Sequence, residues 1–537
     1  MTRLFPVGEE NGEPTSCFPA LPLIFTQSVR GPERFRGGCS FGVVQIVNEP
    51  TVCTTLPTGW YGNARLHAAS VTTWHTRVVT DRPERGVYAN RTLNLRSVEA
   101  IGYDMDYTLI HYRTDEWESA AFEHARQMLA LSGMPVNDVV FNPDHFIQGL
   151  VIDLDLGNLL KATRFGYVIQ AQHGTRMLTF EELRFAYAGV VVDLNEPRFR
   201  FLNTLFSISE ASLYAQLVDL LDADEISGPM GYDELHRMVS FALDESHATG
   251  ALKAEIIADP DRFCSLEPET AETLLDQRLA GKRLLLITNS EWHYTQPIMK
   301  YAFDPHLPSG TWRDLFDVVV VAAAKPRFFE FNEPAFRMVD AERGLFQPHR
   351  GTFEIGEVYH GGSARTVELS LGLAGDQILY VGDHLFGDVH VSKSMLRWRT
   401  ALILRELEAE IADSAAFVTN EKRLMTLMAE KSVLEAQLSL ARLAAARAGS
   451  RPDAEFDRLY GQIRRIDDEV APLAMQSGAV GNKVWGPLMR AGNDKSLFAR
   501  QVEKYADVYT SRVGNFGART PFAYLRAART TLPHDQP

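Results

Sequence analysis

From about residue 96 onward, short apolar runs alternate with longer stretches that have the spacing of amphipathic helices. This alternation predicts a parallel sheet whose strands are buried on both faces, because the crossover helices cover both of them. We therefore expect an α/β fold with a Rossmann-like parallel sheet, which binds its ligands at the carboxyl ends of the strands. The apolar runs lie at residues 98–103, 283–287, 317–322, 378–381 and 400–404.

About 170 residues separate the first apolar run from the second, far more than a crossover needs. This spacing predicts a large inserted α/β cap domain. We expect it to hold strands at 166–171 and 189–193 and helices at 202–221 and 232–248.

After residue 405, apolar residues recur at spacings of three and four on both sides of the sequence AGSRPD. The pattern predicts a C-terminal antiparallel helical hairpin, in which each helix buries the apolar seam of the other. The predicted organisation is a poorly ordered segment at 1–85, a sheet core at 86–114 and 276–410, a cap at 115–275, the hairpin at 411–478, and a segment at 479–537 that packs back on the core.

The segment at 1–85 mixes Pro, Gly, Cys and Thr without a sustained periodicity, which is why we predict that it is poorly ordered. One hypothesis is that the natural chain starts further downstream. The uncharged stretch at 15–29 is too short and too interrupted by proline to span a bilayer, so we expect no membrane partner.

The chain carries 54 Lys and Arg against 69 Asp and Glu, a formal net charge of −15. This sign excludes a general binder of nucleic-acid polymers or anionic membranes. A small anionic substrate stays open, because local cations or a bound metal can offset the charge. The four cysteines show neither a CxxC pair nor a disulfide-dense spacing, which is typical of a reduced, cytoplasmic protein.

The most informative motif is IGYDMDYTL at 101–109. A predicted buried strand ends at Asp104, and Asp106 follows two residues later. Alternation along an extended chain turns both carboxylates to one side, where they repel each other unless a cation or a shared proton lies between them. Oxygen ligands favour Mg²⁺ as that cation.

Three further apolar runs end in groups that suit phosphate chemistry, and all of them fall at the same predicted sheet edge. The groups are Thr288, Asn289 and Ser290 after 283–287, Lys325 after 317–322, and Asp383 and Asp388 after 378–381. For Asp388, a role at a metal site and a role as a helix N-cap both stay open.

These four motifs, in this order, resemble those of the haloacid dehalogenase-like phosphohydrolases, which implies a haloacid dehalogenase-like core. The resemblance implies that Asp104 attacks phosphorus to form an aspartyl-phosphate, while Asp106 acts as general acid and then as general base. It also implies that Thr288 and Lys325 hold the transferring phosphoryl group. The implied Mg²⁺ ligands are Asp104, the backbone carbonyl of Asp106, Asp383 and, in a supporting position, Asp388.

Further distinctive segments are spread over residues 88–535, and they include DMDYTLIHY, GLVIDLDLGNLLK, ITNSEWHYTQPIMKYAF, VYHGGSARTVELSLG and ILYVGDHLFGDVHVSK. With these segments the chain resembles the cytosolic purine (IMP-GMP-specific) 5′-nucleotidase family more closely, with a C-terminal similarity to its bacterial members. The resemblance assigns Asp244 to the purine base, and His247 and Lys253 to the nucleotide. Asn289 and Ser290 complete the predicted substrate-binding set.

The chain also departs from this family. Ser240 stands where the family has a base-reading Arg, so the resemblance does not settle base selectivity, although Arg237 lies one helical turn earlier. At the nucleotide effector site of the animal enzymes, the Asn and the aromatic residue are present as Asn158 and Phe386. Gln148 and Ser394 replace an Arg and a Lys.

We predict that ATP does not activate this enzyme as it activates the animal enzymes, because losing two cations weakens polyphosphate binding. The measurement is the maximal rate of phosphate release with and without millimolar ATP. A several-fold rise would contradict the prediction.

The first functional hypothesis is thus a Mg²⁺-dependent nucleotidase that releases phosphate from purine nucleoside 5′-monophosphates, with IMP and GMP preferred. Alternatives are a nucleoside phosphotransferase or another small-molecule phosphatase that uses the same intermediate. A non-enzymatic interaction protein is a further alternative, which the complete set of catalytic groups disfavours. The hairpin offers a surface for self-association, so a homo-oligomer is one expectation.

Overall fold

The computed structural model describes residues 82–248, 250–449 and 454–529. The predicted segment at 1–85 lies outside these residues, apart from its last four. In chain order, the strands are β1 Val87–Ala89, β2 Leu93–Asn94, β3 Ala100–Tyr103, β4 His111–Tyr112, β5 Val151–Asp153, β6 Asn158–Ala162, β7 Val168–His173, β8 Arg176–Met177, β9 Phe199–Phe201, β10 Cys264–Ser265, β11 Arg283–Ile287, β12 Val318–Val321, β13 Ala335–Asp340, β14 Leu345–His349, β15 Glu357–Gly361, β16 Ile378–Gly382, β17 Arg399–Ile403, β18 Arg490–Ala491, β19 Asp494–Lys495, β20 Val508–Thr510 and β21 Tyr524–Leu525.

A π-helix at Leu385–His390 and several single 3₁₀ turns accompany the α-helices. In chain order, the α-helices are α1 Thr114–Leu131, α2 Phe180–Tyr187, α3 Ser207–Asp222, α4 Tyr232–Ala248, α5 Ala251–Ala258, α6 Pro260–Phe263, α7 Pro268–Leu279, α8 Trp292–Phe303, α9 Arg327–Glu330, α10 Ala364–Leu371, α11 Val391–Leu396, α12 Leu407–Ala448, α13 Ala454–Gly478 and α14 Leu497–Tyr505.

The main sheet has ten strands in the order β1-β20-β17-β16-β3-β11-β12-β15-β13-β14. The seven strands from β20 to β15 run parallel. The outermost strands, β1 on one side and β13 and β14 on the other, are antiparallel to their neighbours. β3 therefore lies at the centre, between β16 and β11. This architecture confirms the predicted α/β fold with a parallel sheet.

The central strands are apolar throughout because both of their faces are covered. Alternate residues of one strand enter two different cores: Leu284 and Leu286 pack into one, and Leu285 and Ile287 pack into the other. The second core receives aromatic side chains from the segment after β12, including Phe328 and Phe329. Packing on both faces holds the strand ends in place, and with them the loops that carry polar side chains.

Between α1 and α7 lies a second sheet, five-stranded and antiparallel, in the order β8-β7-β6-β5-β9. The short pair β4–β10 joins the point where the chain leaves the main sheet to the point where it returns. The predicted strand at 189–193 is wrong: only Val191 forms a single bridge, to Tyr167. A short apolar run is a weak strand signal, and this one only covers the edge of the sheet.

The predicted C-terminal helical hairpin is present as α12 and α13, which pack on each other through Leu438, Leu459 and Ile463. After the hairpin, β20 joins the main sheet beside β17. Within the described residues, no helix combines the length and the apolar character needed to cross a membrane. The domain boundaries given above stay a prediction.

Candidate active site

Four of the predicted site residues come shortly after four neighbouring strands of the main sheet. Asp104 follows β3, Asp383 follows β16, Thr288 follows β11 and Lys325 lies four residues after β12. The backbone amide of Asp104 continues the ladder by donating to the Val381 carbonyl at 2.9 Å. Because these strands are parallel and adjacent, their carboxyl ends meet at one edge of the sheet.

Three buried carboxylates meet at this edge: Asp104, Asp383 and Asp388. One oxygen from each lies within 4.8 Å of the others, and this is the one such acidic group in the described part of the chain. Lys325 Nζ lies 2.7 Å from Asp104 Oδ1 and 2.8 Å from Asp388 Oδ1. One cation thus bridges two of three carboxylates, and the cluster keeps an excess of negative charge.

The pKa values in this cluster reflect burial and that excess of charge. Burial, partly offset by Lys325, raises the pKa of Asp104 to about 6. Burial and the charges of Asp104 and Asp388 raise the pKa of Asp383 well above its ordinary value. Burial lowers the pKa of Lys325, but the two neighbouring carboxylates outweigh it and hold that pKa well above normal.

The donor set of this cluster fits Mg²⁺. All three groups are carboxylate oxygens, which are the ligands that hard divalent cations select. A cation would also relieve the repulsion that raises the pKa of Asp383. The Asp106 carboxylate is not in this group of three; the sequence interpretation had assigned only its backbone carbonyl to the metal.

Lys325 is held both at its side chain and at its backbone. Its Nζ lies 3.2 Å from the hydroxyl of Tyr380, which donates to the Ile287 carbonyl. The side-chain amide of Asn289 accepts from Lys325 N at 2.6 Å and donates to Lys325 O at 3.2 Å. Asn289 lines the cleft, but these two bonds engage its amide with the Lys325 backbone. The contacts therefore show Asn289 supporting the lysine loop.

Backbone strain marks the same loops. Ala322 and Ala324, just before Lys325, have φ angles of 48° and 57°, and Tyr107, just after Asp106, has a φ of 52°. Left-handed backbone at non-glycine residues costs about 1–3 kcal/mol and clusters at functional sites. The surrounding packing holds both loops in conformations that they would not adopt alone.

Asp106 is held by hydroxyl groups on both of its oxygens. Tyr112 donates to Oδ1 at 2.5 Å, and Ser290 donates to Oδ2 at 2.7 Å. The Tyr112 hydroxyl also lies 2.9 Å from that of Tyr294. Burial and the charge of Asp104 raise the pKa of Asp106, while these hydrogen bonds oppose the rise.

Thr288 is fully buried and is not among the residues that line the cleft. Its hydroxyl oxygen accepts from the backbone amide of Ser290 at 3.0 Å. A hydroxyl that accepts one bond still has its own proton to donate. Its predicted contact with a phosphoryl group stays a prediction.

Asp388 lies inside the π-helix, so the N-cap interpretation is wrong: His384 is the residue at the N-cap. The Asp388 carboxylate accepts from the backbone amide of His384 at 3.2 Å and pairs with Lys325. Burial and nearby Lys325 lower the pKa of His384 to about 4. His384 therefore lines the site as a neutral imidazole at neutral pH.

We predict that Gly382→Ala weakens Mg²⁺ binding by about 10-fold or more, the range seen when groups behind metal ligands are disturbed. An added Cβ would lie 2.4 Å from Asp388 Oδ2 and 2.7 Å from its Cβ, so Asp388 must move. The measurement is the Mg²⁺ concentration that gives half-maximal phosphate release.

Gly189→Ala is the matched control, because its new Cβ meets nothing within 4 Å. Its Mg²⁺ dependence should equal that of the unmodified protein. An unchanged Mg²⁺ requirement in Gly382→Ala would contradict the assignment of Asp388 to the metal.

A cleft of about 680 Å³ opens above the carboxylates and extends to α4. Asp244 and Lys253 line it; burial and Glu210 raise the pKa of Asp244, and Lys253 pairs with Glu291 at 3.2 Å. His247 belongs to the last turn of α4, but its side chain lies outside the described part of the chain. The structure thus brings the predicted substrate residues Asp244, Lys253, Asn289 and Ser290 to one cavity.

Ser240 also lines this cleft and donates to Glu210 at 2.8 Å. Arg237 does not replace the missing arginine, because it is exposed and pairs with Asp233 at 3.1 Å beside a different cleft. Within the described part of α4, no lysine or arginine side chain therefore lines this cleft.

Of the compared effector positions, Phe386 borders both the catalytic cleft and a second cleft of about 710 Å³. Asn158 is buried and bonded to Tyr187 and His173 at 2.7 Å each. The second cleft carries other cations, Arg200, Arg500 and Lys504. The ATP prediction depends on the two lost cations, and the cations of the second cleft are a separate source of positive charge beside Phe386.

Sequence reasoning missed Tyr112, Tyr294, Tyr380 and His384. Tyr112 is the last residue of the motif DMDYTLIHY, but nothing local indicates that its hydroxyl returns to Asp106. Tyr380 lies within the apolar run of β16, where it looks like an ordinary core residue. These hydroxyls become visible only once the strands are assembled.

Three carboxylates, a bridging lysine and an aspartate held by two hydroxyl groups thus meet at one cleft, at the carboxyl ends of the central strands. The sequence pattern of a family described as the 5′ nucleotidase family matches residues 87–537. The protein belongs to this family, and its class is therefore that of a phosphoric monoester hydrolase.

Two curated relatives are described as 5′-nucleotidase domain-containing proteins. A 5′-nucleotidase domain-containing protein of Dictyostelium discoideum is 27% identical over 460 residues, covering 84% of this chain and 74% of the relative. The human 5′-nucleotidase domain-containing protein 2 is 29% identical over 473 residues, covering 84% and 85%. A solved structure of an archaeal beta-phosphoglucomutase from Pyrococcus covers 57% of this chain and 86% of its own, at 11% identity. Its TM-score of 0.28 is too low to carry any argument.

Proposed function

We propose that this protein hydrolyses purine nucleoside 5′-monophosphates, with IMP and GMP preferred, to nucleoside and phosphate in the cytoplasm. The observation that carries the proposal is the placement of Asp104 beside Lys325 at the floor of a cleft that extends to Asp244. One end of this cleft suits a phosphate, and the other suits a purine base.

Asp104 is the proposed nucleophile. Its Oδ1 accepts from the backbone amide of Met105 and pairs with Lys325, and we assign the attack on phosphorus to Oδ2. A bond forms between this oxygen and phosphorus as the bond from phosphorus to the ribose oxygen breaks. Lys325 stays close to the transferring group and neutralises charge on its oxygens.

Asp106 is the proposed general acid and base. Ser290 and Tyr112 fix its carboxyl group two residues from the nucleophile. In the first step it gives a proton to the departing ribose oxygen. In the second step it takes a proton from the water that hydrolyses the aspartyl-phosphate and restores Asp104.

Asp104, Asp383 and Asp388 are the proposed holders of Mg²⁺. When bound, the ion supplies positive charge that offsets the phosphate oxygens and the carboxylates. The resemblance to the purine-specific branch supports Asp244 as the base-reading residue. Its carboxylate can accept a hydrogen bond from the ring N–H of a 6-oxopurine.

The test is phosphate release from a panel of purine and pyrimidine nucleoside monophosphates and sugar phosphates, with Mg²⁺ and with a chelator. We expect IMP and GMP to lead and the chelator to abolish release. A preference for pyrimidine nucleotides or sugar phosphates would reject the substrate assignment. Adding inosine separates hydrolysis from phosphotransfer, because a transferase converts inosine to new nucleotide instead of releasing phosphate.

We predict that Tyr112→Phe lowers the first-turnover rate for IMP by about 10-fold to 100-fold, part of what a general acid contributes. The reason is that Asp106 loses the donor that orients its Oδ1. The measurement is the first-turnover rate for IMP and for p-nitrophenyl phosphate. The loss should be large for IMP and small for p-nitrophenyl phosphate, whose leaving group departs without a proton.

Tyr301→Phe is the matched control, since Tyr301 donates to Asp261 outside the cleft. We expect it to leave both first-turnover rates unchanged. Equal losses for the two substrates in Tyr112→Phe would indicate general damage to the site and contradict the orienting role.

A further inference from the structure

His384 lines the catalytic cleft with one of its two ring nitrogens already engaged. Its Nδ1 accepts a hydrogen bond from the backbone amide of Gly387 at 2.8 Å. A ring nitrogen that accepts a hydrogen bond carries no proton, so the proton of the neutral imidazole is on Nε2. The backbone three residues further along the chain therefore sets the tautomer of His384.

Gly387 also fixes the position of the imidazole ring. A Cβ atom at residue 387 would lie 3.1 Å from both Cγ and Nδ1 of His384, so the ring occupies the space that a side chain there would need. The backbone amide of His384 donates to Asp388 at 3.2 Å, which holds the main chain at the same point. Because ring and main chain are both held, the direction of Nε2 is fixed before a substrate binds.

The Nε2–H group is the part of His384 that is left to bind a ligand. In the part of the chain that the structure describes, the hydrogen bonds of His384 use its backbone amide and Nδ1, and none uses Nε2. The neighbouring charges differ in this respect, because Lys325 is paired with both Asp104 and Asp388. A positioned N–H donor without a protein partner is thus present on the wall of the cleft.

We infer that Nε2–H of His384 donates a hydrogen bond to an oxygen of the transferring phosphoryl group, an inference that rests on the proposed function. His384 directly follows Asp383, whose carboxylate has an oxygen within 4.8 Å of one from Asp104, the proposed nucleophile. The residue therefore lies at the phosphate end of the cleft. A neutral imidazole stabilises charge on oxygen by donating while it keeps its proton, so Asp106 remains the general acid.

Asparagine and glutamine at this position separate a donor role from a structural one. In His384→Asn the side-chain oxygen can still accept from the Gly387 amide, as asparagine does at helix N-caps, but no donor reaches the position of Nε2. In His384→Gln the side-chain amide reaches that position and donates, while the contact with Gly387 is lost. The donor role predicts that the glutamine variant is the more active of the two, and a purely structural role predicts the reverse.

The first test measures kcat/KM for IMP and for p-nitrophenyl phosphate with saturating Mg²⁺, beside thermal unfolding. We expect His384→Asn to keep its melting temperature and to lose about 10²-fold in kcat/KM for both substrates, the scale set by removing one oxyanion donor. His349→Asn is the matched control, because its imidazole contacts the Thr352 carbonyl outside the cleft. Full activity in His384→Asn, or a loss confined to IMP, would overturn the inference.

The second test separates this inference from the proposed function. Titration calorimetry measures the binding of inorganic phosphate to the Mg²⁺-loaded protein. We expect the dissociation constant of phosphate to rise by about 10-fold in His384→Asn, as for the loss of a hydrogen bond to a charged group, and to stay unchanged in His349→Asn. Equal binding by His384→Asn and the unmodified protein, or binding by neither, would overturn the inference. Weakened phosphate binding in a protein that hydrolyses no nucleotide would support it and reject only the proposed function.

Discussion

Asp104→Asn is expected to lower phosphate release from IMP by about 10⁴-fold or more, the scale on which enzymes lose activity when a nucleophile is removed. An amide is a poor nucleophile and cannot form the aspartyl-phosphate. The amide also removes a negative charge from the cluster with Asp383 and Asp388, so the variant should be at least as stable as the unmodified protein. Activity and thermal unfolding are measured side by side.

Asp376→Asn is the matched control for this prediction. Asp376 is exposed and precedes β16, so it lies at the amino end of that strand, away from the carboxylates that follow the carboxyl ends. We expect its activity to be unchanged. Acid-quenched intact-protein mass spectrometry should show an added phosphoryl group in the unmodified protein and none in Asp104→Asn. Activity that survives Asp104→Asn would reject the mechanism.

Lys325→Met is expected to have the second large effect, because it leaves Asp104 and Asp388 buried without their shared cation. Breaking a buried ion pair by removing one partner lowers the free energy of unfolding by about 3–5 kcal/mol. If Lys325 holds the transferring phosphoryl group as proposed, loss of its charge should also lower the turnover number by about 10²–10³-fold. Chemical unfolding without Mg²⁺ and steady-state kinetics with Mg²⁺ measure the two effects.

Lys393→Met is the control that separates stability from catalysis. Lys393 pairs with the buried Asp507 at 2.6 Å, away from the cleft. We expect this variant to lose stability while it keeps its turnover number at temperatures where it is folded. If Lys325→Met turned over as fast as Lys393→Met, the role of Lys325 at the phosphoryl group would be wrong.

The strands of the main sheet could be predicted closely where burial on both faces makes them continuously apolar. The predicted run at 283–287 has the same bounds as β11, and the run at 378–381 differs from β16 by one residue. The edge hairpin β13–β14 was not predicted, because its residues are only partly buried. The run at 189–193 failed for a related reason, since apolar residues also occur where a loop covers a sheet.

The candidate site was also predicted only in part. The sequence was sufficient to predict that Asp104, Asp383 and Lys325 would meet, because parallel strands bring their carboxyl ends to one edge. It could not show that Asn289 is bound to the Lys325 backbone or that Thr288 is fully buried. Those contacts depend on loop conformations, which neighbouring elements impose.

The amino-acid sequence by itself determined the parallel sheet, the edge that carries the chemistry and the seam of the hairpin, because periodicity and burial are local properties of a chain. Only the tertiary structure decided that Tyr112 holds Asp106, that Lys325 bridges Asp104 and Asp388, and that Arg237 misses the cleft. Each of these outcomes depends on the direction of a side chain and on a partner brought close by packing. Local sequence patterns do not encode such directions.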